Sequence, residues 1–336
     1  MAIHMFQQLI DTLKKSPKKI VFTEGTDARI LEASARLLFG TFLTPVLVGN
    51  PEEIQAAAEE AGFNIRGAEI IAPETYPEMD KMVDTMVELR KGKMTADECR
   101  AALSKGNYFG TMLVKMGMAD ALLGGATYST ADTVRPALQL VKTKKGAHLV
   151  SSCFIMCRGD EMLAMGDCAI NISYEDTLDK EGNVVLSAAD KLAEVGVETA
   201  KTAKVFGIEP KVAFLSYSTK GSGKGPGVDL ARTACEKAKE MAPEFAIDGE
   251  MQFDAAVSPT VGQLKFPGSK VAGYANTFIF PEIQSGNIGY KIAQRLGGFD
   301  AYGPILQGLN APINDLSRGC NAEEVYTMAI ITAAMA

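Results

Sequence analysis

The chain has 336 residues, with 34 Lys and Arg against 41 Asp and Glu, a net charge of −7 and 47% hydrophobic residues. This length exceeds what one hydrophobic core usually serves, so we expect two domains with a cleft between them. The acidic balance, without a basic run interleaved with aromatic residues, argues against nucleic acid as a partner. The apolar runs are too short to cross a bilayer, which argues against a membrane protein.

The first residues lack the basic-then-apolar pattern of a signal peptide, so we expect a cytoplasmic protein. The six cysteines have no CxxC spacing and fit reduced thiols in a core. Only two histidines are present, His4 and His148, which nearly excludes a histidine-based metal site or a Ser–His–Asp triad. Acid–base chemistry must therefore fall to carboxylates.

Predicted strands and helices alternate in the N-terminal half. They are a strand at 19–23, a helix at 28–39, a strand at 44–49, a helix at 51–61 and a strand at 68–72. Predicted helices at 76–91, 95–105 and 108–118 lead to a strand at 119–123, closed by Gly124-Gly125, and to a helix from about Thr130. This alternation predicts an α/β fold with a parallel sheet of right-handed βαβ units.

The pattern changes after residue 146. Residues 147–157 and 161–172 are both strand-like and flank Arg158-Gly159-Asp160, which predicts a hairpin. A helix is predicted at 187–206 and another from Pro281, with strands at 211–217, at 270–280, where Gly273 breaks the strand, and at 301–306. Residues from 313 onward return to the first pattern. We therefore predict a discontinuous α/β domain, residues 1–147 plus 305–336, and a second α/β domain, residues 148–304.

A glycine-rich loop is predicted at residues 218–227, where glycine occupies every second position from Gly221 to Gly227 and two lysines are present. The spacing matches neither the dinucleotide-binding fingerprint nor the P-loop. The loop is either a flexible surface connection or a loop that approaches a phosphate group.

A polar segment at residues 313–325 leads into an apolar helix. Ser317, Arg318 and Glu324 lie within eight residues there, at a predicted helix N-terminus where backbone N–H groups favour anions. The fork of an arginine fits phosphate bidentately, so Arg318 is a candidate oxyanion binder. Glu324 stands three residues after Asn321, which is close to a capping box. It is therefore either a helix cap or a catalytic carboxylate.

Five segments together resemble a known family. They are Asn314-Asp315-Leu316-Ser317-Arg318-Gly319-Cys320 and residues 130–136, 216–222, 248–256 and 285–291. The first resembles the C-terminal signature of phosphate acetyltransferases (phosphotransacetylases), and the others are similar to family segments in family order. The resemblance implies an acyltransferase of two α/β domains, similar to the isocitrate and isopropylmalate dehydrogenase fold and usually a homodimer.

The implied reaction is reversible acetyl transfer between coenzyme A and phosphate, with coenzyme A as a substrate and no metal or nicotinamide. By resemblance, Glu324 stands where the family has an aspartate thought to deprotonate the thiol, whose sulfur attacks acetyl phosphate directly. Arg318 would bind the phosphoryl group and Ser317 would hydrogen-bond nearby. Taken singly, three further arginines are typical of solvated helix faces, but the resemblance implies that they bind substrate: Arg90, Arg135 and Arg295.

Three other functions remain open from the sequence. A phosphate butyryltransferase differs only in the shape of the acyl pocket, which residue order does not define. A non-catalytic regulatory module that binds acetyl-coenzyme A is a second alternative, although Ser317 and Arg318 favour an enzyme. A dehydrogenase is a weaker alternative, because no nicotinamide site is recognisable.

Overall fold

The computed structural model describes residues 2–336, and Met1 of the predicted first domain lies outside the described residues. The chain forms two compact units. We call residues 3–146 with 309–336 the N–C unit, and residues 147–308 the middle unit. Residues 305–308, predicted to join the first domain, belong to the middle unit. The reason is that Ile305, Leu306 and Gln307 pair with Cys153, Ser152 and Ser151.

Thirteen strands occur in residues 2–336. In chain order they are β1 (Lys18–Phe22), β2 (Leu43–Val48), β3 (Glu69–Ile71), β4 (Ala121–Gly124), β5 (Ser151–Arg158), β6 (Glu161–Gly166), β7 (Thr177–Leu178), β8 (Val184–Leu186), β9 (Lys211–Leu215), β10 (Ala246–Met251), β11 (Thr277–Ile279), β12 (Asp300–Gln307) and β13 (Ile313–Asp315).

Thirteen α-helices occur in the same part of the chain. They are α1 (Ala2–Lys15), α2 (Ala28–Gly40), α3 (Pro51–Ala61), α4 (Met79–Arg90), α5 (Ala96–Leu103), α6 (Gly106–Lys115), α7 (Thr130–Pro136), α8 (Ala188–Val205), α9 (Pro226–Met241), α10 (Phe253–Val257), α11 (Pro259–Lys265), α12 (Ile283–Arg295) and α13 (Ala322–Ala334). None of the helices described is both long and apolar enough to span a membrane.

The N–C unit contains a five-stranded sheet in the order β13-β4-β1-β2-β3. Every neighbouring pair is parallel, which confirms the predicted parallel α/β sheet. Ile20, Val21 and Phe22 of β1 are completely buried, as expected for a central strand covered on both faces. Helix starts follow local capping chemistry. Asp27, for example, accepts a hydrogen bond from the Arg29 N–H at the start of α2.

The middle unit contains a six-stranded mixed sheet in the order β10-β9-β11-β6-β5-β12. The predicted hairpin is confirmed, because β5 and β6 are antiparallel and Arg158 pairs with Glu161 across a two-residue turn. The strand predicted at 270–280 is broken at Gly273, as predicted, and only β11 is formed. Gly273 has φ +85° in a turn, and a Cβ there would lie 2.6 Å from the Cα of Pro259. A continuous strand therefore cannot form through Gly273.

Candidate active site

Three loops meet at one edge of the parallel sheet in the N–C unit. The strands β13, β4 and β1 are adjacent and parallel, so their carboxyl ends lie side by side. Leu316 extends this pairing by donating its N–H to the Gly124 carbonyl at 2.7 Å. Ligands of parallel α/β sheets bind at such carboxyl ends.

Glu24 joins the loop after β1 to the loop after β4. Its Oε1 accepts hydrogen bonds from the N–H groups of Gly125 and Thr127, at 3.0 and 3.1 Å. Its Oε2 accepts from the Thr23 hydroxyl at 2.7 Å. Burial raises the pKa of Glu24, and these hydrogen bonds oppose that rise by stabilising the carboxylate. Glu24 is thus engaged in holding two loops together.

Asp315 joins β13 to α7. This buried carboxylate accepts hydrogen bonds from the hydroxyls of Thr130 at 2.5 Å and Thr133 at 2.6 Å. Burial raises the pKa of Asp315, and the two hydroxyl groups act in the opposite direction. Residues three apart share a helix face, so both threonines reach the same carboxylate. Arg135 is on this helix, which Asp315 therefore anchors to the sheet edge.

The loop after β13, residues 316–321, contains two of the predicted site residues. The Ser317 hydroxyl accepts from the Gly319 N–H at 3.2 Å, and the Ser317 carbonyl accepts from the Cys320 N–H at 2.9 Å. The Arg318 side chain is exposed and has no hydrogen bond or ion pair with any part of the chain that the structure describes. Its guanidinium group is thus available to an anion.

Glu324 forms the predicted capping box at the start of α13. The Glu324 N–H donates to Asn321 Oδ1 at 2.9 Å, and the Asn321 N–H donates to Glu324 Oε2 at 3.0 Å. The side chain is exposed, and within residues 2–336 its Oε1 has no hydrogen-bond partner. One carboxylate oxygen therefore caps the helix, and the other remains available.

Arg135 lines a cavity of about 450 Å³ in the N–C unit. Lys105, Asn107 and Tyr108 also line it and supply a second cation, an amide and a phenol. The hydrogen bond from the Ser129 hydroxyl lowers the pKa of Asp132, and the nearby charges of Arg135 and Lys105 act in the same direction. Glu98 and Asp132 also line the cavity, which thus combines two cations, two carboxylates and apolar surface.

The other two predicted arginines are not among the residues that line this cavity. Arg90 is the last residue of α4 and is half-buried, and its buried Nε has no hydrogen-bond partner in the described chain. Arg295 is the last residue of α12, is exposed and belongs to the middle unit. Ser317 and Arg318 thus share the loop after β13, and Glu324 lies in the first turn of α13, which follows that loop.

The glycine-rich loop of the middle unit is a fixed structure. The Glu250 carboxylate, almost completely buried, accepts hydrogen bonds from the Gly221 N–H at 2.7 Å and from the Ser218 hydroxyl at 2.9 Å. Arg232 donates to the same carboxylate through its Nε at 3.0 Å. Hydrogen bonding to these donors holds the pKa of Glu250 below its usual value despite burial. The loop is thus anchored to the end of β10.

Sequence reasoning missed four residues that hydrogen-bond the loops together at the carboxyl edge of the parallel sheet. Glu24, Asp315, Thr130 and Thr133 carry its cross-links, whereas the sequence alone marks them only as turn or motif residues. A usable signal was the spacing of Thr130 and Thr133, which puts both hydroxyls on one helix face. Their acceptor, Asp315, lies about 180 residues away and is identified only by the strand order.

An exposed arginine with no partner among residues 2–336, a hydroxyl and a carboxylate at the carboxyl edge of a parallel sheet suit an α/β enzyme that acts on an anion. Comparison with known proteins defines the class further. Residues 4–333 match the family model described as "Phosphate acetyl/butaryl transferase". The chain belongs to this family, as its motifs predicted.

Full-length relatives support the same assignment. The phosphate acetyltransferase of Bacillus subtilis (strain 168) is 52% identical over 332 residues, which cover 99% of this chain and 99% of the relative. A phosphotransacetylase structure from Streptococcus pyogenes is 51% identical with a TM-score of 0.93, covering 99% of this chain and 98% of that one. One from Staphylococcus aureus is 47% identical with a TM-score of 0.88, covering 98% of both chains.

These comparisons confirm two predictions. The predicted function, phosphate acetyl transfer, is that of the family and of relatives at about half identity. The predicted enzyme class, an acyltransferase, follows from the same relationship.

The close contact between Gly125 and Asp315 at the carboxyl edge of the sheet can be tested by mutation. It has φ +99°, and a Cβ there would lie 2.3 Å from Asp315 Oδ1. We expect Gly125→Ala to lower the free energy of unfolding by about 2–4 kcal/mol, through backbone strain and the clash together, and to lower activity. Urea denaturation and turnover would be measured.

The matched control is Gly117→Ala in the same unit. Gly117 has φ +75°, and a Cβ added there would have no atom within 4 Å, so this change adds backbone strain alone, about 1–2 kcal/mol. Equal losses of stability and activity in the two variants would contradict the expectation that the close contact with Asp315 makes Gly125 more sensitive than Gly117.

Proposed function

We propose that the chain catalyses the reversible reaction of acetyl-coenzyme A with phosphate to give acetyl phosphate and coenzyme A, by direct thiolate attack in a ternary complex. In the direction of acetyl-coenzyme A formation, the thiolate sulfur attacks the acetyl carbon and a carbon–sulfur bond forms. The bond from the acetyl carbon to the phosphate oxygen breaks, and phosphate leaves with the electron pair. The thiol proton passes to a carboxylate. Approximation of the two substrates supplies much of the acceleration.

One observation carries this proposal. The Arg318 guanidinium, next to Ser317 in the loop after β13, is exposed and unpaired within the described residues. A guanidinium matches two phosphoryl oxygens and would stabilise the charge that develops on the leaving phosphate. Ser317 would donate its hydroxyl hydrogen to the substrate while its oxygen accepts from the Gly319 N–H at 3.2 Å. The chain is acidic as a whole, so anions require such a local cation.

Glu324 is the proposed base. Helix capping and proton transfer are compatible here, because capping uses Oε2 and leaves Oε1 without a partner among residues 2–336. Positioning of the thiol next to Oε1 would supply a large part of the effect.

The three remaining arginines are proposed substrate contacts. Arg135, in the 450 Å³ cavity with Lys105, would bind an anionic group of the substrate. The unpartnered buried Nε of Arg90 is a donor that an anion would satisfy. Arg295 would contact coenzyme A, as the resemblance implies.

The finer architectural predictions remain proposals of the same kind. We propose that the N–C unit and the middle unit are two domains in the manner of the isocitrate and isopropylmalate dehydrogenases. The return of residues 309–336 to the N–C unit supports a discontinuous first domain. The proposed site of action is the cytoplasm. Acyl transfer changes no oxidation state, so the proposed reaction uses coenzyme A as a substrate and needs no redox cofactor.

Acyl preference is the first test of the function. We expect kcat/KM for acetyl phosphate to exceed that for butyryl phosphate by about tenfold or more, because an acetyl pocket must exclude two further methylene groups. Both would be measured with coenzyme A as the acceptor. A preference for butyryl phosphate would identify a phosphate butyryltransferase, and binding of acetyl-coenzyme A without turnover would identify a regulatory module.

The role of Glu324 is tested by removing its charge. Glu324→Gln keeps the size and capping ability of the side chain but removes the base, so kcat should fall by about 100-fold or more. Glu324→Asp should retain more activity than Glu324→Gln, because it keeps a carboxylate. Both would be measured by acetyl-coenzyme A formation from acetyl phosphate.

The matched control is Glu323→Gln, one residue earlier. Glu323 is exposed and forms an ion pair with Arg36 at 2.7 Å, so this change alters the same helix turn without touching the proposed base. It should leave kcat unchanged. Nearly full turnover of Glu324→Gln, with chemistry rate-limiting, would show that Glu324 is a helix cap alone.

We also propose a homodimer, as the resemblance implies. Light scattering of the purified protein at assay concentrations should give twice the mass of the chain. A single-chain mass at concentrations where the enzyme is fully active would contradict this proposal.

A further inference from the structure

Arg29 lies next to the loop after β13 and uses all of its hydrogen-bond donors. The guanidinium has five N–H groups, and each has an acceptor oxygen. Nε and Nη2 bind the two oxygens of Asp27 at 2.9 and 2.7 Å. Nη2 also donates to the Ala126 carbonyl at 2.9 Å, and Nη1 donates to the carbonyls of Arg318 and Cys320 at 2.9 and 3.0 Å.

These acceptors belong to three different loops. Asp27 follows β1 and caps α2, Ala126 follows β4, and Arg318 and Cys320 follow β13. Arg29 therefore joins the ends of three adjacent parallel strands through one side chain. A planar guanidinium is suited to this because its donors point in fixed directions.

The two carbonyls that Nη1 binds lie on either side of Gly319. Holding both defines the path of the main chain at Arg318, and with it the direction in which the Arg318 side chain leaves the loop. Gly319 itself is not packed against another element, since a Cβ there would meet only Ser317 Oγ, at 3.8 Å, within 4 Å. The hydrogen bonds of Arg29 are thus a main restraint on this turn.

Arg29 itself is poorly suited to bind substrate. Its charge is matched by the bidentate contact with Asp27, and its five donors are already used. The hydrogen bond to Asp27 raises the pKa of Arg29, so the group stays charged at any working pH. Arg318 differs on both points, being exposed and unpaired in the described chain.

We propose that Arg29 is a positioning residue for the acyl-transfer reaction. It holds the turn at residues 318–320 so that the Arg318 guanidinium faces the phosphoryl group, and it acts on the chemical step through Arg318 without touching substrate. This inference rests on the function proposed for Arg318.

The principal test is Arg29→Lys. Lysine keeps the charge but has three donors on a flexible stem, so it cannot satisfy Asp27 and three carbonyls together. We expect kcat to fall by about 100-fold, the effect of an ångström-scale displacement of a catalytic group, with the KM for coenzyme A little changed. Steady-state kinetics would give both values.

The matched control is Arg36→Lys, about two turns later on α2. Arg36 pairs with Glu323 at 2.7 Å and stacks over the Tyr326 ring at 4.1 Å, so it ties α2 to α13 without contacting the turn at 318–320. It should keep the kcat of the wild type. Equal kcat values for Arg29→Lys and Arg36→Lys would overturn the proposal.

Arg29→Ala provides a second test that separates position from folding. Added guanidinium ion, well below denaturing concentration, should restore part of the lost kcat, and methylammonium ion should not, because only guanidinium reproduces the planar fork. Loss of kcat that guanidinium does not restore, in a variant that melts at the wild-type temperature, would contradict the assignment.

A readout independent of activity is tryptic cleavage after Arg318. The Arg318 carbonyl is held by Arg29 at 2.9 Å, so releasing it should make cleavage of the Arg318–Gly319 bond several-fold faster in Arg29→Lys. Mass spectrometry would identify the site, and an unchanged rate would overturn the proposal. If the wild type showed no acetyl transfer, the proposed function would fail, and the cleavage rates would still decide whether Arg29 holds the turn.

Discussion

The parallel pairing of β13 with β4 and of β4 with β1 is the constraint on which the candidate site depends. It brings the ends of three strands to one edge of a sheet, although β1 and β13 lie about 300 residues apart along the chain. The strand β13 has only three residues, so its loop needs further restraint. Asp315 supplies one through Thr130 and Thr133, and Arg29 supplies another through main-chain carbonyls.

Charge is distributed so that one arginine holds the loop and another remains available. Arg29 is neutralised by Asp27 and half-buried, whereas Arg318 is exposed and unpaired within the described chain. An acidic protein can in this way present a localised positive group to an anionic substrate. The two side chains are chemically identical. Their hydrogen-bond partners distinguish Arg29, which restrains the loop, from Arg318, which is available to bind an anion.

Glu324 shows how one residue can satisfy two explanations. The capping box is present at 2.9 and 3.0 Å, which agrees with the spacing of Asn321 and Glu324. The box uses a single carboxylate oxygen, so capping does not consume the whole group. Glu324 can then both take part in capping the helix and face a substrate, because the two oxygens of a carboxylate point in different directions.

The sequence by itself determined the α/β class, the parallel sheet, the β5–β6 hairpin and the family, because these depend on local periodicity, turn residues and motifs. It also located Ser317, Arg318 and Glu324, which are close along the chain. The tertiary structure alone decided the assignment of residues 305–308 and the partners that Glu24, Arg29 and Asp315 find on other loops. The partners on other loops lie about 100 to 290 residues away in the chain, and strand order, which no local pattern encodes, brings them together.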